Sequence, residues 1–253
     1  MSKIYLSVVI PSYNEDKNFK RGVLDEVLAY LKKQDYTWEL ILSDDGSKKS
    51  FVEKLENFAN KNKHVKLLKN IHAGKSAAVK SGILAANGDW RLFTDFDQST
   101  PLSEIEKLFR YANNSYDVII GSREMIGSKR AKEPWYRHLM GRVFNLVVQT
   151  LTIPGILDTQ CGFKLFSREA AEKLFSSLVV YGDQGERSNA FTGAFDVEAL
   201  YLAKKFAYKI REVPIIWKHY ETDRVNPIKD SVLMFFDILK IRLAEMRGLY
   251  KQA

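Results

Sequence analysis

Two aspartates one residue apart, Asp95 and Asp97, are the first side chains in this sequence that suggest chemistry. They stand in DWRLFTDFDQSTP, where the apolar pair Leu92 and Phe93 runs into a polar loop. Carboxylates held this close repel each other, and a divalent cation between them or on one of them relieves the repulsion. Oxygen ligands spaced D-x-D, with Phe96 turned the other way, suit Mg²⁺ or Mn²⁺ carrying a diphosphate. By itself, such a pair is more often a solvated turn.

The segments that must position this pair alternate between strand-like and helix-like patterns. The apolar runs typical of strands are IYLSVVIPSYNE, WELILSDDGS, VKLLKN, DWRLFTDFD and YDVIIGSR. Amphipathic helical spacing lies between them, for example over Asn18–Lys33. The alternation predicts an α/β fold, with a mostly parallel central sheet flanked by helices. Since ligands bind beyond the carboxyl ends of parallel strands, we expect PSYNE, SDDGS, DFD and GSR to meet at one edge of the sheet.

Composition places the chain among ordinary globular proteins. It has 253 residues, 45% apolar and 28% charged, with no repeat or linker-like segment, so we expect one domain. The single cysteine, Cys161, excludes an internal disulfide and fits a reducing compartment. The longest uncharged run, Val143–Leu157, is shorter than the ~20 residues that a spanning helix needs, and no signal peptide is evident.

The net charge of +8 predicts an anionic partner, which could be nucleic acid, a phosphate-bearing ligand or an acidic membrane surface. No nucleic-acid-binding module is recognised, so we expect no nucleic acid. The basic stretch GSREMIGSKRAKEPWYRHLMGR leads into the apolar VFNLVVQTL, an arrangement that suits lipid headgroups above acyl chains. The last helical pattern, IKDSVLMFFDILKIRLAEMRGLYKQA, fits either a helix packed on the core or a helix lying on a membrane surface.

Several longer motifs carry a family resemblance. VVIPSYNE, SDDGS, HAGKSAAVKSGILAANGD, TDFDQSTP, GSR and DTQCGFKLFSREAAEKLF occur in the order seen in inverting GT-A glycosyltransferases of family 2. The sequence resembles that family from about Ser7 to Arg242. The likeness is greatest to its polyprenyl-phosphate hexosyltransferases, the dolichyl-phosphate β-glucosyltransferases and dolichol-phosphate mannosyltransferases. DTQCGFKLF and EVPIIWKHYETDRVNP favour the glucosyltransferase side.

The resemblance implies a single Rossmann-like GT-A domain over residues 1–253. Its nucleotide-sugar-binding half would cover about 1–125, its acceptor-binding half about 126–227, and a C-terminal amphipathic helix about 228–250. It also implies metal-dependent inverting transfer of a hexose, glucose from UDP-glucose, to a polyprenyl or dolichyl phosphate. The enzyme would then attach peripherally to the cytoplasmic face of a membrane. Two alternatives stay open: an inverting transferase acting on a saccharide hydroxyl, and a non-catalytic nucleotide-binding protein.

The donor site that the resemblance implies is assembled from several strand ends and loops: Pro11, Tyr13, Glu15, Asp44, Lys75, Asp95 and Arg224. Glu15 would accept hydrogen bonds from the ribose and Asp44 the N–H of uracil, which favours a UDP-sugar over a GDP-sugar. Asp95 and Asp97 would hold Mg²⁺ or Mn²⁺, with Asp97 in direct contact. The third protein ligand is open, because Ser99 stands where mannosyltransferases have Gln. Taken singly, each of these residues also fits a structural role.

The acceptor phosphate, by the same resemblance, would meet Arg123 and Arg142, with Arg137 a weaker candidate. Asp97, Arg123 and Arg142 are therefore the predicted catalytic residues. A lipid phosphate is already anionic at neutral pH and needs positioning rather than a general base. In the hydroxyl-acceptor alternative, Asp196 would instead be an essential base.

Overall fold

The computed structural model describes residues 3–112, 114–130, 135–182, 185, 193–220 and 227–250. For residues 130, 135–141, 143 and 227–230 it describes the backbone alone. The described strands are β1 Leu6–Ser12, β2 Trp38–Asp45, β3 Val65–Asn70, β4 Trp90–Thr94, β5 Val118–Ser122, β6 Lys129–Arg130, β7 Phe163–Ser167, β8 Ile210–Pro214 and β9 Ile216–Trp217. The described helices are α1 Asp16–Lys20, α2 Val23–Leu31, α3 Lys49–Asn60, α4 Lys75–Ala85, α5 Ile105–Ala112, α6 Trp135–Leu151, α7 Arg168–Ser176, α8 Phe195–Lys205 and α9 Pro227–Met246.

Seven of these strands form the central sheet, in the order β3-β2-β1-β4-β7-β5-β8. All neighbours are parallel except β7, which runs antiparallel between β4 and β5. The mostly parallel α/β sheet predicted from the alternation is thus confirmed. β1, β2, β4 and β5 point the same way, so their carboxyl ends meet at one edge, as expected. The short strands β6 and β9 pair separately.

The core has one layer on each face of the sheet, because the central strands are buried on both faces. All seven residues of β1 are buried, which explains its unbroken apolar run. Helices α2, α3 and α5 pack on one face. Helices α4, α7 and α8 cover the other face, where α6 and α9 also contribute buried residues. Each fully buried leucine or isoleucine in these layers contributes about 1.5–3 kcal/mol.

The helical pattern over Asn18–Lys33 forms two helices rather than one. Gly22 separates α1 from α2 with φ at +81°. Glycine adopts this left-handed conformation without the steric penalty of a Cβ, so the chain can turn there. The turn lets α2 bury its apolar side, while none of the five residues of α1 is buried.

The C-terminal helix α9 is apolar on two sides. Ile238, Ile241 and Ala244 are buried against the core. Large apolar side chains on the other side are exposed: Val232, Leu233, Phe235, Phe236, Leu239, Leu243 and Met246. The core-packed helix is therefore confirmed, and it also leaves an apolar surface uncovered. No helix within the described residues is both long enough and apolar enough to cross a bilayer.

Candidate active site

The D-x-D pair lies directly beyond the end of β4, in a tight turn. Phe96 is 3% exposed and packs near Phe51, so it faces away from the two carboxylates as expected. Gln98, at φ +49°, closes the turn by donating to the Asp95 carbonyl at 2.8 Å. The backbone N–H of Ser99 donates to Asp97 Oδ1, also at 2.8 Å. These contacts hold both carboxylates at the sheet edge.

A lysine cation already stands against this pair. Lys75, the first residue of α4, places its Nζ 2.5 Å from Asp95 Oδ1. Burial alone would lower the pKa of Lys75, but the charges of Asp95, Asp196 and Asp97 outweigh that effect and raise it. The ammonium is therefore charged and lies at the amino-terminal end of a helix, where anions are favoured.

The donor set fits a divalent cation that shares its ligands with a diphosphate. Burial, followed by the neighbouring charge of Asp95, raises the pKa of Asp97, and a cation would relieve both effects. No group of three or more His, Cys, Asp or Glu side chains suited to a metal gathers in the part of the chain that the structure describes. Mg²⁺ is commonly held by one or two carboxylates plus phosphate oxygens and water, so Asp95 and Asp97 suffice.

An aromatic pair lies beside the carboxyl ends of β1 and β2. The ring of Tyr13 stacks on His72, with centroids 4.2 Å apart and planes 6° apart. His72 Nδ1 lies 2.9 Å from Asp45 Oδ2, and Asp45 also accepts the amides of Ala73 and Gly74 at 2.9 and 3.0 Å. Asp45 thus holds the loop between β3 and α4. Its burial raises the pKa of its carboxyl.

Three other predicted donor residues, Asp44, Glu15 and Pro11, lie at the same edge. Asp44 is 1% exposed and accepts hydrogen bonds from Ser12 Oγ at 3.1 Å and from the Ser47 amide at 2.9 Å. Glu15 precedes α1 and accepts from Asn18 Nδ2 at 2.7 Å. Pro11 is buried in β1. Arg224 lies outside the described residues.

The two predicted acceptor arginines differ in their surroundings. Arg123 forms a two-pronged pair with Asp158, from Nε at 2.7 Å and from Nη2 at 2.8 Å. Burial would raise the pKa of Asp158, but Arg123 more than offsets it and holds the pKa below its usual value. Arg142 has 55% of its side chain exposed, and its Nη1 lies 3.5 Å from Glu124 Oε2. The side chain of Arg137 lies outside the described residues.

The carboxylate of Asp196 is enclosed rather than presented. Lys164 of β7 is 1% exposed, and its Nζ lies 2.5 Å from Asp196 Oδ1. Burial raises the pKa of Asp196, and the charges of Lys164 and Lys75 partly offset that rise. Glu198, two residues further along α8, accepts the backbone amides of residues 179–181 at 2.7–2.8 Å. These two acids therefore have structural partners.

Comparison with known proteins assigns this arrangement to a family. The profile of Glycosyl transferase family 2 matches residues 7–175, which include the D-x-D turn, Lys75 and Arg123. The chain belongs to glycosyl transferase family 2. It is therefore a glycosyltransferase, as its motifs implied, and the GT-A fold is that of the sheet described above. The family transfers sugars with inversion at the anomeric carbon.

Curated members of family 2 resemble nearly the whole chain. A dolichyl-phosphate β-glucosyltransferase from Homo sapiens is 36% identical over 97% of this chain and 77% of its own length. One from Dictyostelium discoideum is 34% identical over 99% of this chain and 78% of its own length. The protein of that name from Saccharomyces cerevisiae is 32% identical over 98% of this chain and 77% of its own.

Solved structures share the fold at lower identity. Glucosyl-3-phosphoglycerate synthase from Mycobacterium tuberculosis, solved with Mn²⁺, UDP-glucose and phosphoglyceric acid, superposes with a TM-score of 0.64 at 18% identity, over 97% of this chain and 80% of that one. Mannosyl-3-phosphoglycerate synthase from Rubrobacter xylanophilus has the same TM-score at 17% identity, over 99% and 77% of the chains. These matches establish the GT-A architecture.

Several site residues of this family 2 member escaped the sequence analysis. Lys164 left a signal, since a lysine inside the apolar run CGFKLFS needs a buried carboxylate. Arg21 left none: it donates to the carbonyl of Asp97, and its guanidinium lies 3.7 Å from the ring centroid of Tyr220. Cys161, in contrast, is buried, which raises its thiol pKa to about 12, so a packing role fits it and a nucleophilic role does not.

Proposed function

We propose that the chain transfers glucose from UDP-glucose to a polyprenyl phosphate such as dolichyl phosphate, with inversion, giving a β-linked lipid-phosphate sugar. The observation that carries the proposal is the burial of Asp196 against Lys164, because the carboxylate at the expected base position is already paired. An acceptor that needs no base is then required, and a phosphate monoester is such an acceptor. The curated relatives, named dolichyl-phosphate β-glucosyltransferases, support the same choice.

On the donor side, Asp95 and Asp97 would hold a divalent cation, Mg²⁺ or Mn²⁺, which when bound would stabilise the charge on the departing diphosphate. Lys75 would move its ammonium from Asp95 toward the diphosphate at the amino terminus of α4. The Tyr13–His72 stack offers an apolar face beside the nucleoside. The division into a donor half over about 1–125 and an acceptor half over about 126–227 belongs to the same proposal.

On the acceptor side, Arg123 and Arg142 would bind the phosphate of the lipid. The Asp158 pair fixes the direction of the Arg123 guanidinium. The exposed Arg142 is linked to Glu124, the neighbour of Arg123, and so lies on the same side of the site. A planar guanidinium matches phosphate geometry and holds it in one orientation.

The reaction then needs alignment more than proton transfer. An acceptor phosphate oxygen bonds to the anomeric carbon as the bond from that carbon to the diphosphate oxygen breaks. Attack from the face opposite the leaving group converts the α-linked donor into a β-linked product. Holding the two reactants in line can account for a large share of the rate enhancement, because it removes the entropic cost of bringing them together.

A product assay tests this function. The protein is incubated with UDP- and GDP-sugars, polyprenyl phosphate and Mn²⁺ or Mg²⁺, and the lipid product is identified by mass spectrometry. Arg142→Ala should weaken use of the lipid phosphate by at least about tenfold, because one charge-assisted hydrogen bond is lost. Arg110→Ala, which removes an exposed arginine of α5, is the control. If Asp196→Asn is dead in a folded protein while Arg142→Ala remains active on a sugar alcohol, the hydroxyl-acceptor alternative replaces the proposal.

The exposed side of α9 would attach the enzyme to the membrane that holds its lipid acceptor. Seven large apolar side chains lie exposed there with cations between them, which suits an anionic bilayer surface. The free thiol of Cys161 fits the reducing, cytoplasmic side. Phe236→Glu should abolish sedimentation with vesicles containing anionic lipid, whereas Leu84→Glu on α4 should not. Equal binding of both variants to the vesicles would show that α9 does not contribute to membrane attachment.

A further inference from the structure

A buried hydrogen-bonded link joins the C-terminal helix α9 to the first turn of α8. The Tyr181 side chain is 2% exposed, and its hydroxyl donates to the carboxylate of Asp237 on α9. The same hydroxyl accepts the backbone N–H of Ala194 at 2.7 Å. Ala194 is the residue that precedes α8, and it has no side-chain cap of its own. Helices leave their first four amides without a carbonyl partner, so Tyr181 satisfies one of them.

The surroundings leave this link little freedom. Gly193 has φ at +69°, and a Cβ there would lie 2.2 Å from the Tyr181 hydroxyl oxygen. Asp237 is 6% exposed, and Lys240 holds its other carboxylate oxygen at 2.8 Å. Contact this close means that a displacement of α9 near Asp237 is passed to the backbone at Ala194, because a densely packed interior has no space to absorb it.

The turn that Tyr181 caps leads into a cluster of charged side chains at the active site, Asp196, Lys164, Lys75 and Asp95, which we call the charged floor. Asp196, two residues after Ala194, pairs with Lys164 at 2.5 Å. The ring of Phe93 in β4 lies between these groups: Lys164 Nζ is 5.9 Å and Lys75 Nζ 5.4 Å from its centroid. Phe195 of α8 packs on the same ring with centroids 5.8 Å apart, and Lys75 Nζ lies 2.5 Å from Asp95 Oδ1. The position of the first turn of α8 therefore affects the charges that surround the D-x-D pair.

We infer that the Tyr181 hydroxyl is a positioning group that couples the C-terminal helix to the charged floor of the donor site. This inference rests on the proposed function only for the purpose of the coupling. In that function the exposed side of α9 meets the membrane, and the coupling joins this contact to the site that uses a membrane lipid. Tyr181 is not one of the residues assigned above to the donor or the acceptor. It acts by holding the α8 turn, and through that turn Asp196 and Lys164.

The test removes the hydroxyl and keeps the ring. Tyr181→Phe should lower kcat by about tenfold, since small misplacements of catalytic groups are costly, while KM for the lipid and binding to anionic vesicles stay unchanged. Hydrogen–deuterium exchange of the amides in residues 194–200 should accelerate in the substrate-free protein. Asp237→Asn keeps an oxygen that can accept from Tyr181, so it should remain within about twofold of the wild type in both measurements.

Tyr250→Phe is the matched control. Tyr250 is 3% exposed, lies just after α9, and donates to Glu198 of α8 at 2.7 Å. Glu198 keeps three backbone donors without it, so kcat and the exchange of residues 194–200 should not change. Equal losses of kcat in both variants, or unchanged exchange in Tyr181→Phe, overturn the inference. The exchange result decides the coupling even if polyprenyl phosphate is not the acceptor, which the wild-type product assay determines separately.

Discussion

Replacing Gly162 with alanine should disable the D-x-D pair without touching either aspartate. An added Cβ would lie 2.0 Å from Asp95 Oδ2 and 2.4 Å from Asp95 Cγ. Non-bonded carbon and oxygen atoms rarely approach within about 3 Å, so the carboxylate must move by about 1 Å or more. Asp95 is half-buried and its side chain can rotate, so the shift displaces the carboxylate rather than the backbone. We expect the free energy of unfolding to change by no more than about 1 kcal/mol.

Activity should fall much further than stability. A misplacement of about 1 Å at a catalytic group can cost about a hundredfold in rate, equivalent to about 2.7 kcal/mol in the activation barrier. The assays are isothermal titration of Mn²⁺ in the presence of UDP, which should show weaker binding, and glucosyl transfer, which should show a lower kcat. Gly185→Ala is the control, because Gly185 is exposed and an added Cβ there meets no atom of the described residues within 4 Å.

A double variant checks that the effect passes through the carboxylate. If Gly162→Ala acts only by displacing Asp95, adding it to Asp95→Asn should cause little further loss, because effects that share one partner are not additive. Two outcomes would refute the reasoning. One is wild-type affinity for Mn²⁺ and UDP with full kcat in Gly162→Ala, and the other is full additivity with Asp95→Asn.

Three further variants test individual charges. Asp97→Asn should lower transfer by orders of magnitude with little change in thermal unfolding, and near-normal turnover at saturating Mn²⁺ would exclude the D-x-D assignment. Lys75→Met removes the ammonium group that pairs with Asp95 and would compete with a metal ion for that carboxylate. Mn²⁺ without nucleotide should then bind several-fold more tightly, as measured by electron paramagnetic resonance. An unchanged affinity for Mn²⁺ would show that Lys75 and the metal do not compete. Asp158→Asn should cost about 3 kcal/mol in urea unfolding at neutral pH, because it leaves Arg123 without its buried partner. The pKa of Asp158 is lowered by folding, so the stability it contributes is complete above about pH 4 and is lost as the pH falls through the folded pKa; a stability difference from the wild type that stays constant to about pH 2 would contradict this account.

The sequence by itself determined the fold class and the edge of the sheet at which the predicted donor residues lie. Apolar runs alternating with amphipathic helices are local patterns, and they identified the parallel strands β1 to β5 before any contact was known. The rule that parallel strands present their carboxyl ends at one edge then brought Asp44, Asp95 and Arg123 to the same side. The family motifs added the predicted metal and nucleotide roles, which local patterns alone do not specify.

Only the tertiary structure decided the partners of the charged groups. Asp158 lies 35 residues from Arg123, and nothing local in either segment reveals that they form a pair. The same holds for Lys164 and Asp196, which come together because β7 runs antiparallel in the middle of the sheet and carries Lys164 under α8. The direction of a strand depends on the neighbours beside which it folds, and its own residues fit either direction.

The C-terminal helix α9 also shows that a local pattern does not specify its tertiary partners. Its apolar spacing predicted a helix with one apolar side, and it was compatible with a core position or a membrane position. Packing buried Ile238 and Ile241 and left Phe235 and Phe236 exposed, so both apolar sides exist on one helix. Which side faces the core depends on the shape of the surface that α6 and α8 offer, and that surface is formed by residues distant in the sequence. A periodic pattern specifies a helix and its apolar positions, whereas the fold specifies what covers them.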